Sequence, residues 1–281
     1  MCEFCLQHGE GKKWYLQAKN YADDLLSDLR RRRFIKKFLS DPEALARDVR
    51  NLERLEKAPT FIRNIMSRTI TRKMQQVHFG QIVPIEDIEQ IFGFVNSIIR
   101  VACICRQASL GQEKRYCYGI SLQPEGGRFA EILRELDGSY LFGPENTGLE
   151  VLTREEAIAA FHAHEQEGLC HSVWTFHTPF IGGICNCDRS DCLAMRCTIT
   201  HAVPVMFRGE YIAQVDPDRC VGCRECLRFC QFEAMTYSTA DQKTVIDPRR
   251  CYGCGVCRSG CPEEAIQLVD RISVAAAANL W

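Results

Sequence analysis

The sequence contains no long apolar run. No stretch of the 281-residue chain approaches the ~20 consecutive apolar residues that a helix needs to cross a bilayer. The chain begins Met1-Cys2-Glu3-Phe4-Cys5, which is not an apolar signal segment. We therefore expect a cytoplasmic protein without a membrane span.

The sequence also lacks the short motifs of several enzyme classes. It has no glycine-rich nucleotide loop, no nucleophile elbow and no CxxxCxxC radical motif in a suitable strand context. No recognisable DNA-binding motif accompanies its basic residues. These absences argue against a nucleotide-dependent enzyme, a serine hydrolase and a nucleic-acid partner.

Cysteine, by contrast, is abundant, with 18 residues in the chain. Disulfide frameworks of comparable density belong to short secreted proteins, and this chain is long. The alternative use of so many thiols is metal ligation, which requires thiolates and therefore a reducing compartment.

Eight cysteines near the C-terminus form two runs of matching spacing. The runs are Cys220-x2-Cys223-x2-Cys226-x3-Cys230 and Cys251-x2-Cys254-x2-Cys257-x3-Cys261-Pro262. This spacing is typical of two [4Fe-4S] clusters, where the fourth cysteine of each run binds the other cluster. The first cluster is predicted to take Cys220, Cys223, Cys226 and Cys261, and the second Cys251, Cys254, Cys257 and Cys230.

The sequence around the two runs repeats as well. Asp216-Pro217-Asp218-Arg219-Cys220 aligns with Asp247-Pro248-Arg249-Arg250-Cys251 at an offset of 31 residues, which indicates two copies of one supersecondary unit. Residues 211–270 therefore resemble a bacterial-type two-cluster ferredoxin. The pattern departs from the repeat at Gln231, which occupies the position of Pro262 in the second run.

A second group of cysteines lies in the middle of the chain and exceeds what one cubane needs. Two CxC segments each follow an apolar run, which predicts strands that end in thiols on one face. We expect at least one additional metal centre here, an iron–sulfur cluster rather than zinc. Buried apolar cysteines are the alternative. The candidate ligands are Cys103, Cys105, Cys117, Cys185, Cys187, Cys192 and Cys197.

This middle region resembles a family of multi-cluster iron–sulfur proteins of anaerobes. The similarity is carried by Cys103-Ile104-Cys105-Arg106, by Glu167-Gly168-Leu169-Cys170-His171 and by Cys185-Asn186-Cys187. Asp188 stands where the family often has a further cysteine. The resemblance implies electron transfer beside a larger oxidoreductase, hence a redox partner such as a flavoenzyme or metalloenzyme in a hetero-oligomer. It defines no substrate.

The extreme N-terminus carries one more cysteine pair, Cys2-x2-Cys5. A CxxC can supply two ligands to a metal or cluster. No thioredoxin-like strand and helix surround it, so a redox dithiol is not expected. Metal ligation and free thiols both remain open for this pair.

The N-terminal part predicts helices with a basic surface. Four helices are expected, over about 20–39, 42–57, 61–74 and 84–100. Residues 1–80 hold 17 Lys and Arg against 10 Asp and Glu, whereas residues 81–281 hold 18 against 26. The run Arg30-Arg31-Arg32-Arg33, together with Lys36-Lys37, is a solvated helix face, a surface that docks an acidic protein or a nucleic-acid contact. Further along, Thr153-Arg154-Glu155-Glu156 predicts a capping box that opens a helix ending at Gly168.

Together these patterns predict an α+β protein. We expect a helical basic module over 1–100, a small mixed cysteine-rich domain over 101–210, a ferredoxin-like domain over 211–270 and a tail over 271–281. The favoured function is an iron–sulfur electron carrier or the electron-transfer subunit of an oxidoreductase. Two alternatives remain, namely a reductive enzyme with a substrate-binding third cluster and a redox-sensing regulator.

Overall fold

The computed structural model describes residues 13–112, 114–136 and 149–280. The predicted ligands Cys2 and Cys5 lie outside these residues. The described chain is α+β, as predicted, with helices in its N-terminal part and two two-stranded ribbons near its C-terminus. None of the described helices is long and apolar enough to cross a membrane.

The helices lie mainly in the first two-thirds of the chain. They are α1 Leu29–Ser40, α2 Pro42–Glu56, α3 Thr60–Val77, α4 Ile85–Phe94, α5 Ile104–Leu110, α6 Gly127–Arg134, α7 Arg154–Gln166 and the short α8 Leu193–Met195. Turns of 3₁₀ helix occupy Trp14–Leu16, Ala18–Tyr21, Asp23–Ser27, Pro124–Gly126, Glu225–Phe229, Val256–Arg258 and Arg271–Ser273, and a π turn occupies Arg196–Thr200.

The strands form one large sheet and two ribbons. They are β1 Gly80–Val83, β2 Ser97–Val101, β3 Cys117–Ser121, β4 Glu150–Leu152, β5 Cys170–Thr175, β6 Ile181–Cys187, β7 Met206–Phe207, β8 Tyr211–Val215, β9 Met235–Ser238, β10 Lys243–Ile246 and β11 Ile266–Asp270. Among the described residues, the large sheet has the order β4-β2-β3-β6-β5-β1-β7. Only β1 and β7 run parallel within it; β9 pairs with β10, and β8 with β11.

Apolar residues cover both faces of the large sheet. Neighbouring residues of a strand point to opposite faces, and Ile98 and Ile99 of β2 accordingly join different cores. Helices α4 and α7 pack on the face of Ile98, with Phe92 and Phe161 in edge-to-face contact. Helices α1 and α6 pack on the face of Ile99. The sheet is therefore the structural centre of the protein.

Several local predictions are confirmed, and two helices are partly wrong. The helix expected over about 20–39 begins only at Leu29, after turns of 3₁₀ helix. The Thr153 capping box is present, with Glu156 accepting from the Thr153 amide at 2.8 Å, and Gly168 adopts a φ of +84°. The helix expected over 84–100 ends at Phe94, and the following apolar residues form β2 instead. The large sheet consequently crosses the predicted domain boundary at residue 100, because β1 and β2 belong to it.

The basic residues of α1 differ in their surroundings, because one is buried and bonded to the backbone and others lie at the surface. The Arg31 side chain is buried and donates to the carbonyl oxygens of Phe176 and His177, at 2.8 Å in each case. Lys36 is paired with Glu135. Arg31 therefore fixes α1 to the chain that follows β5 and is not available to phosphate or an acidic partner, whereas Lys36 and Glu135 form a pair at the surface.

Candidate metal centres

Six of the seven middle cysteines converge on one place in the fold. Cys117 on β3 lies opposite Cys185 on β6, with their sulfurs 3.2 Å apart, and the sulfurs of Cys187 and Cys192 are 3.4 Å apart. Side-chain contacts also join Cys103 to Cys105 and Cys117, and Cys105 to Cys192. These six residues form a continuous group, which we call the six-thiol cluster.

The elements that carry the six-thiol cluster differ in part from the prediction. Cys185 and Cys187 lie two apart on an extended strand, as expected. The apolar run before the first CxC segment is a strand, as expected, but β2 ends at Val101. Cys103 therefore lies just before α5 and Cys105 in its first turn, outside the strand. The two CxC segments do not pair directly either, because β3 separates β2 from β6 in the sheet.

Cys197 makes no contact with another thiol among the described residues. Its side chain packs among Val49, Leu193 and Val205, in an apolar cluster that Cys105 also touches. Burial raises the pKa of the Cys197 thiol to about 11. Cys197 therefore has the surroundings of a structural cysteine, although it was among the candidate ligands.

Arg106 supplies positive charge beside the six-thiol cluster. Its side chain is 2% exposed, donates to the Asn186 carbonyl oxygen at 3.2 Å and stands 3.8 Å from the Cys103 sulfur. It forms an ion pair with Asp188 and stacks on the Tyr116 ring at 4.2 Å. The thiols of Cys105 and Cys117 hold the pKa of Cys103 well below its usual value by hydrogen bonding, and the charge of Arg106 adds to the effect.

Asp188 has a role that a cysteine at its position could not fill. Its carboxylate pairs with Arg106, accepts from the Ser190 hydroxyl at 2.6 Å and accepts from the Asp191 amide at 2.7 Å. The residue thus orders the turn between Cys187 and Cys192 and neutralises the buried guanidinium. Asp188 thus lies beside the six-thiol cluster and contributes a carboxylate there, not a sulfur.

The eight C-terminal cysteines line two separate small cavities. Each cavity contains three cysteines of one run and the fourth cysteine of the other run. Cys220, Cys223, Cys226 and Cys261 line the first cavity, and Cys230, Cys251, Cys254 and Cys257 line the second. This grouping has the crossed arrangement that the spacing suggests. Four thiols around a cavity provide the donor set of a cubane, so the residues present fit such a cluster.

Backbone groups support both cavities in the same way. The amide of Ala234 donates to the Cys230 sulfur, and the amide of Ala265 donates to the Cys261 sulfur, at 3.2 Å in both cases. These two bonds occupy equivalent positions of the internal repeat. Hydrogen bonds to ligand sulfurs are one of the factors that set the reduction potential of an iron–sulfur cluster.

A glycine in each run permits the tight loop between the first two cysteines. Gly222 has a φ of +72° and Gly253 a φ of +73°, a conformation that favours glycine. A Cβ atom at Gly253 would collide with the Tyr211 carbonyl group. The repeat thus preserves the loop conformation as well as the thiols.

The two cavities differ in burial. In the first, Cys223 is exposed and only Cys226 is buried. In the second, Cys251, Cys254 and Cys257 are all buried. Burial raises the pKa of Cys254 and of Cys257, so an uncompensated thiolate is unfavourable at that depth. A metal cluster would supply the positive charge that a thiolate there requires.

Comparison with known proteins identifies the C-terminal segment. Residues 213–268 match the family model of the 4Fe-4S dicluster domain. The C-terminal region is thus a ferredoxin-like iron–sulfur domain, and it supports an electron-transfer role. A comparison with curated protein sequences found no match.

The dicluster domain packs directly against the six-thiol cluster. One apolar core contains Cys254 of the second cavity together with Cys187 and Cys192 of the six-thiol cluster. Cys170, which is completely buried, lies in the same core along with Phe229 and other side chains. Burial raises the pKa of the Cys170 thiol, and the negative charges of Cys254 and Cys192 raise it further. Cys170 is therefore close to both thiol groups.

Gln231 forms hydrogen bonds across the contact between the dicluster domain and the part of the chain that carries the six-thiol cluster, a contact that we call the junction. Its side-chain amide donates to the Gly168 carbonyl oxygen at 2.8 Å, and its side-chain oxygen accepts from the Arg189 amide at 3.0 Å. A proline, which the other copy of the repeat has here, makes neither bond. The departure from the ferredoxin repeat is explained by docking of the dicluster domain.

We expect Gln231→Pro to weaken the junction while leaving the iron content of the dicluster domain unchanged. The loss of two hydrogen bonds should lower the free energy of unfolding by about 1–3 kcal/mol, measured by urea denaturation under anaerobic conditions. Gln231→Glu is the matched control, because it retains the acceptor oxygen and should have a smaller effect. Wild-type stability in the proline variant would show that these bonds do not hold the junction.

Proposed function

We propose that the protein is an iron–sulfur electron carrier or electron-transfer subunit with three redox centres. Two are [4Fe-4S] clusters in the dicluster domain, bound by the crossed sets of cysteines given above. The third is an iron–sulfur cluster bound by at least four residues of the six-thiol cluster. The proteins that exchange electrons with it would be a flavoenzyme or metalloenzyme in a cytoplasmic, anaerobic hetero-oligomer.

The shared apolar core between the second cavity and the six-thiol cluster is the observation that carries this proposal. Cys254 and Cys192 both lie close to the fully buried Cys170 in one apolar core. Centres on the two sides of such a contact are suited to exchange electrons without solvent access. A relay explains why the thiol groups are packed together.

The two cavities of the dicluster domain differ in burial, and this difference suggests which cluster faces a partner. The first cavity reaches the surface at Cys223, whereas the second is enclosed by the rest of the protein. A partner would therefore exchange electrons at the first cluster. The second cluster would then connect it to the centre in the six-thiol cluster.

We prefer an iron–sulfur cluster to a zinc ion at the third centre because the same chain carries a 4Fe-4S dicluster domain. A chain that binds such clusters in one region is supplied with them when it is assembled, and its other thiols are then exposed to the same supply.

Electron paramagnetic resonance of the dithionite-reduced protein tests the relay. Neighbouring reduced clusters should interact magnetically, so the signal of the third centre should be broadened in the wild type. The matched variant Gln231→Pro, with a loosened junction, should show a weaker interaction at unchanged iron content. A third signal that behaves as an isolated centre in both proteins would contradict a relay through Cys170.

A further inference from the structure

An apolar cavity of about 480 Å³ adjoins the six-thiol cluster. All six thiols contribute to its lining, so the cluster of the proposed third centre would occupy that end of the cavity and a ligand would lie in the remaining part. Helices α2 and α3 contribute another part of the lining, through Leu52, Leu55, Ile70 and Met74. Small-molecule pockets generally measure about 300–1,000 Å³ and are lined mainly by apolar side chains, so this cavity has the size and character of a binding site.

The charged groups of the cavity are already neutralised or lie at its margin. Among the lining residues, the charged side chains are Asp48, which is exposed, and Arg106, which is paired with Asp188. His78 is buried, and its Nδ1 atom donates to the Thr175 carbonyl oxygen at 2.5 Å. Burial lowers the pKa of His78 to about 4, so the ring is neutral at physiological pH. A charged ligand would find no free partner there.

A ligand can enter the cavity past α3, which is weakly packed. None of the eighteen residues of α3 is fully buried, and Phe61, Ile65 and Met66 are largely exposed. Elements with few buried contacts open at low free-energy cost. The helix that borders the cavity is consequently one that little packing holds in place.

We propose that this cavity binds an uncharged, predominantly apolar small molecule beside the sulfurs of the six-thiol cluster. The inference rests on the proposed function, since it makes the third centre the point at which a small molecule meets the relay. The molecule is of aromatic or aliphatic character. It approaches the thiols from the side of α2 and α3.

Calorimetric titration with 1-naphthalenemethanol tests this site in the anaerobically purified full chain. Ile70→Trp places a large side chain in the cavity and should weaken binding at least about tenfold. Ile65→Trp is the matched control on the same helix, because Ile65 is exposed and does not line the cavity, and it should bind like the wild type. The charged analogue 1-naphthoate should bind at least about tenfold more weakly than the alcohol, because burying its carboxylate without a partner is unfavourable.

Two results would overturn the inference. Equal binding by Ile70→Trp and the wild type would show that the probe binds elsewhere, and Leu52→Trp on α2 provides a second such variant if the first fails to fold. Binding of naphthoate as tight as that of the alcohol would contradict an uncharged ligand. The iron content separates this inference from the proposed function: binding that Ile70→Trp abolishes in a protein with only two clusters would support the cavity and refute the third centre.

Discussion

Replacing Cys254 by alanine should remove the second cluster of the dicluster domain and about four iron atoms per chain. Cys254 is buried at the junction between the second cavity and the six-thiol cluster, so no water or surface thiol can take its place. Because cluster binding is coupled to folding, the variant should also unfold at a lower temperature. Iron analysis and thermal denaturation of the anaerobically purified variant measure the two effects.

Cys170→Ala is the matched control for that variant. Cys170 is as deeply buried as Cys254 and lies in the same apolar core, but it lines neither cavity of the dicluster domain. Its replacement should leave the iron content unchanged and cost only the packing of one sulfur atom. A full iron complement in Cys254→Ala would refute the assignment of Cys254 as a ligand.

Arg106→Met should destabilise the protein by about 3–5 kcal/mol and should release the iron of the proposed third centre. The substitution leaves Asp188 beside the thiols without its partner, and breaking one side of a buried ion pair has costs of this size. It also removes the positive charge that holds the pKa of Cys103 low, although the neighbouring thiols have the larger influence. Urea denaturation and iron analysis of the variant report the two losses.

Arg100→Met provides the comparison for Arg106→Met. Arg100 pairs with Glu150 at 3.0 Å, but both side chains are about 30% exposed. Exposed pairs contribute roughly 0–1 kcal/mol, so this variant should remain close to the wild type and retain its iron. An Arg106→Met variant as stable as Arg100→Met would show that the buried guanidinium does not support the six-thiol cluster.

The dicluster domain could be predicted from sequence because its determinants are local. Three ligands of each cluster lie within seven residues, and the loop between them needs only a glycine such as Gly253. The internal repeat adds a second copy of the same information. Spacing alone therefore suggested which thiols would share a cavity.

The six-thiol cluster was predictable in composition but not in arrangement. Its cysteines come from β3, α5, β6 and the turn that follows β6, so only the fold brings them together. Cys197 is the exception among the candidate ligands. It lies five residues after Cys192 in the sequence, but it packs with Val49 of α2 and not with another thiol. The apolar residues before Cys103 fit both the end of the helix expected over 84–100 and a strand before the first CxC segment, because a short apolar run does not distinguish helix from strand. The structure has the strand, β2.

Other features depend on partners that are distant in the sequence. Arg106 was visible as part of a C-x-C-R segment, but its pairing with Asp188 spans 82 residues. Gln231 departs from the repeat, but its partner Gly168 lies 63 residues away and only the fold brings the two together. The departure of Gln231 from the repeat is the feature of the sequence that points to a contact at this position.

The iron and sulfide content of the anaerobically purified protein tests the central proposal, a third cluster in the six-thiol cluster. We predict about 12 iron atoms per chain in the wild type, and about 8 after simultaneous replacement of Cys103, Cys117 and Cys185 by serine. About 8 iron atoms in both proteins would contradict the proposal. The middle thiols would then have a structural role, and the dicluster domain would be the whole of the redox machinery.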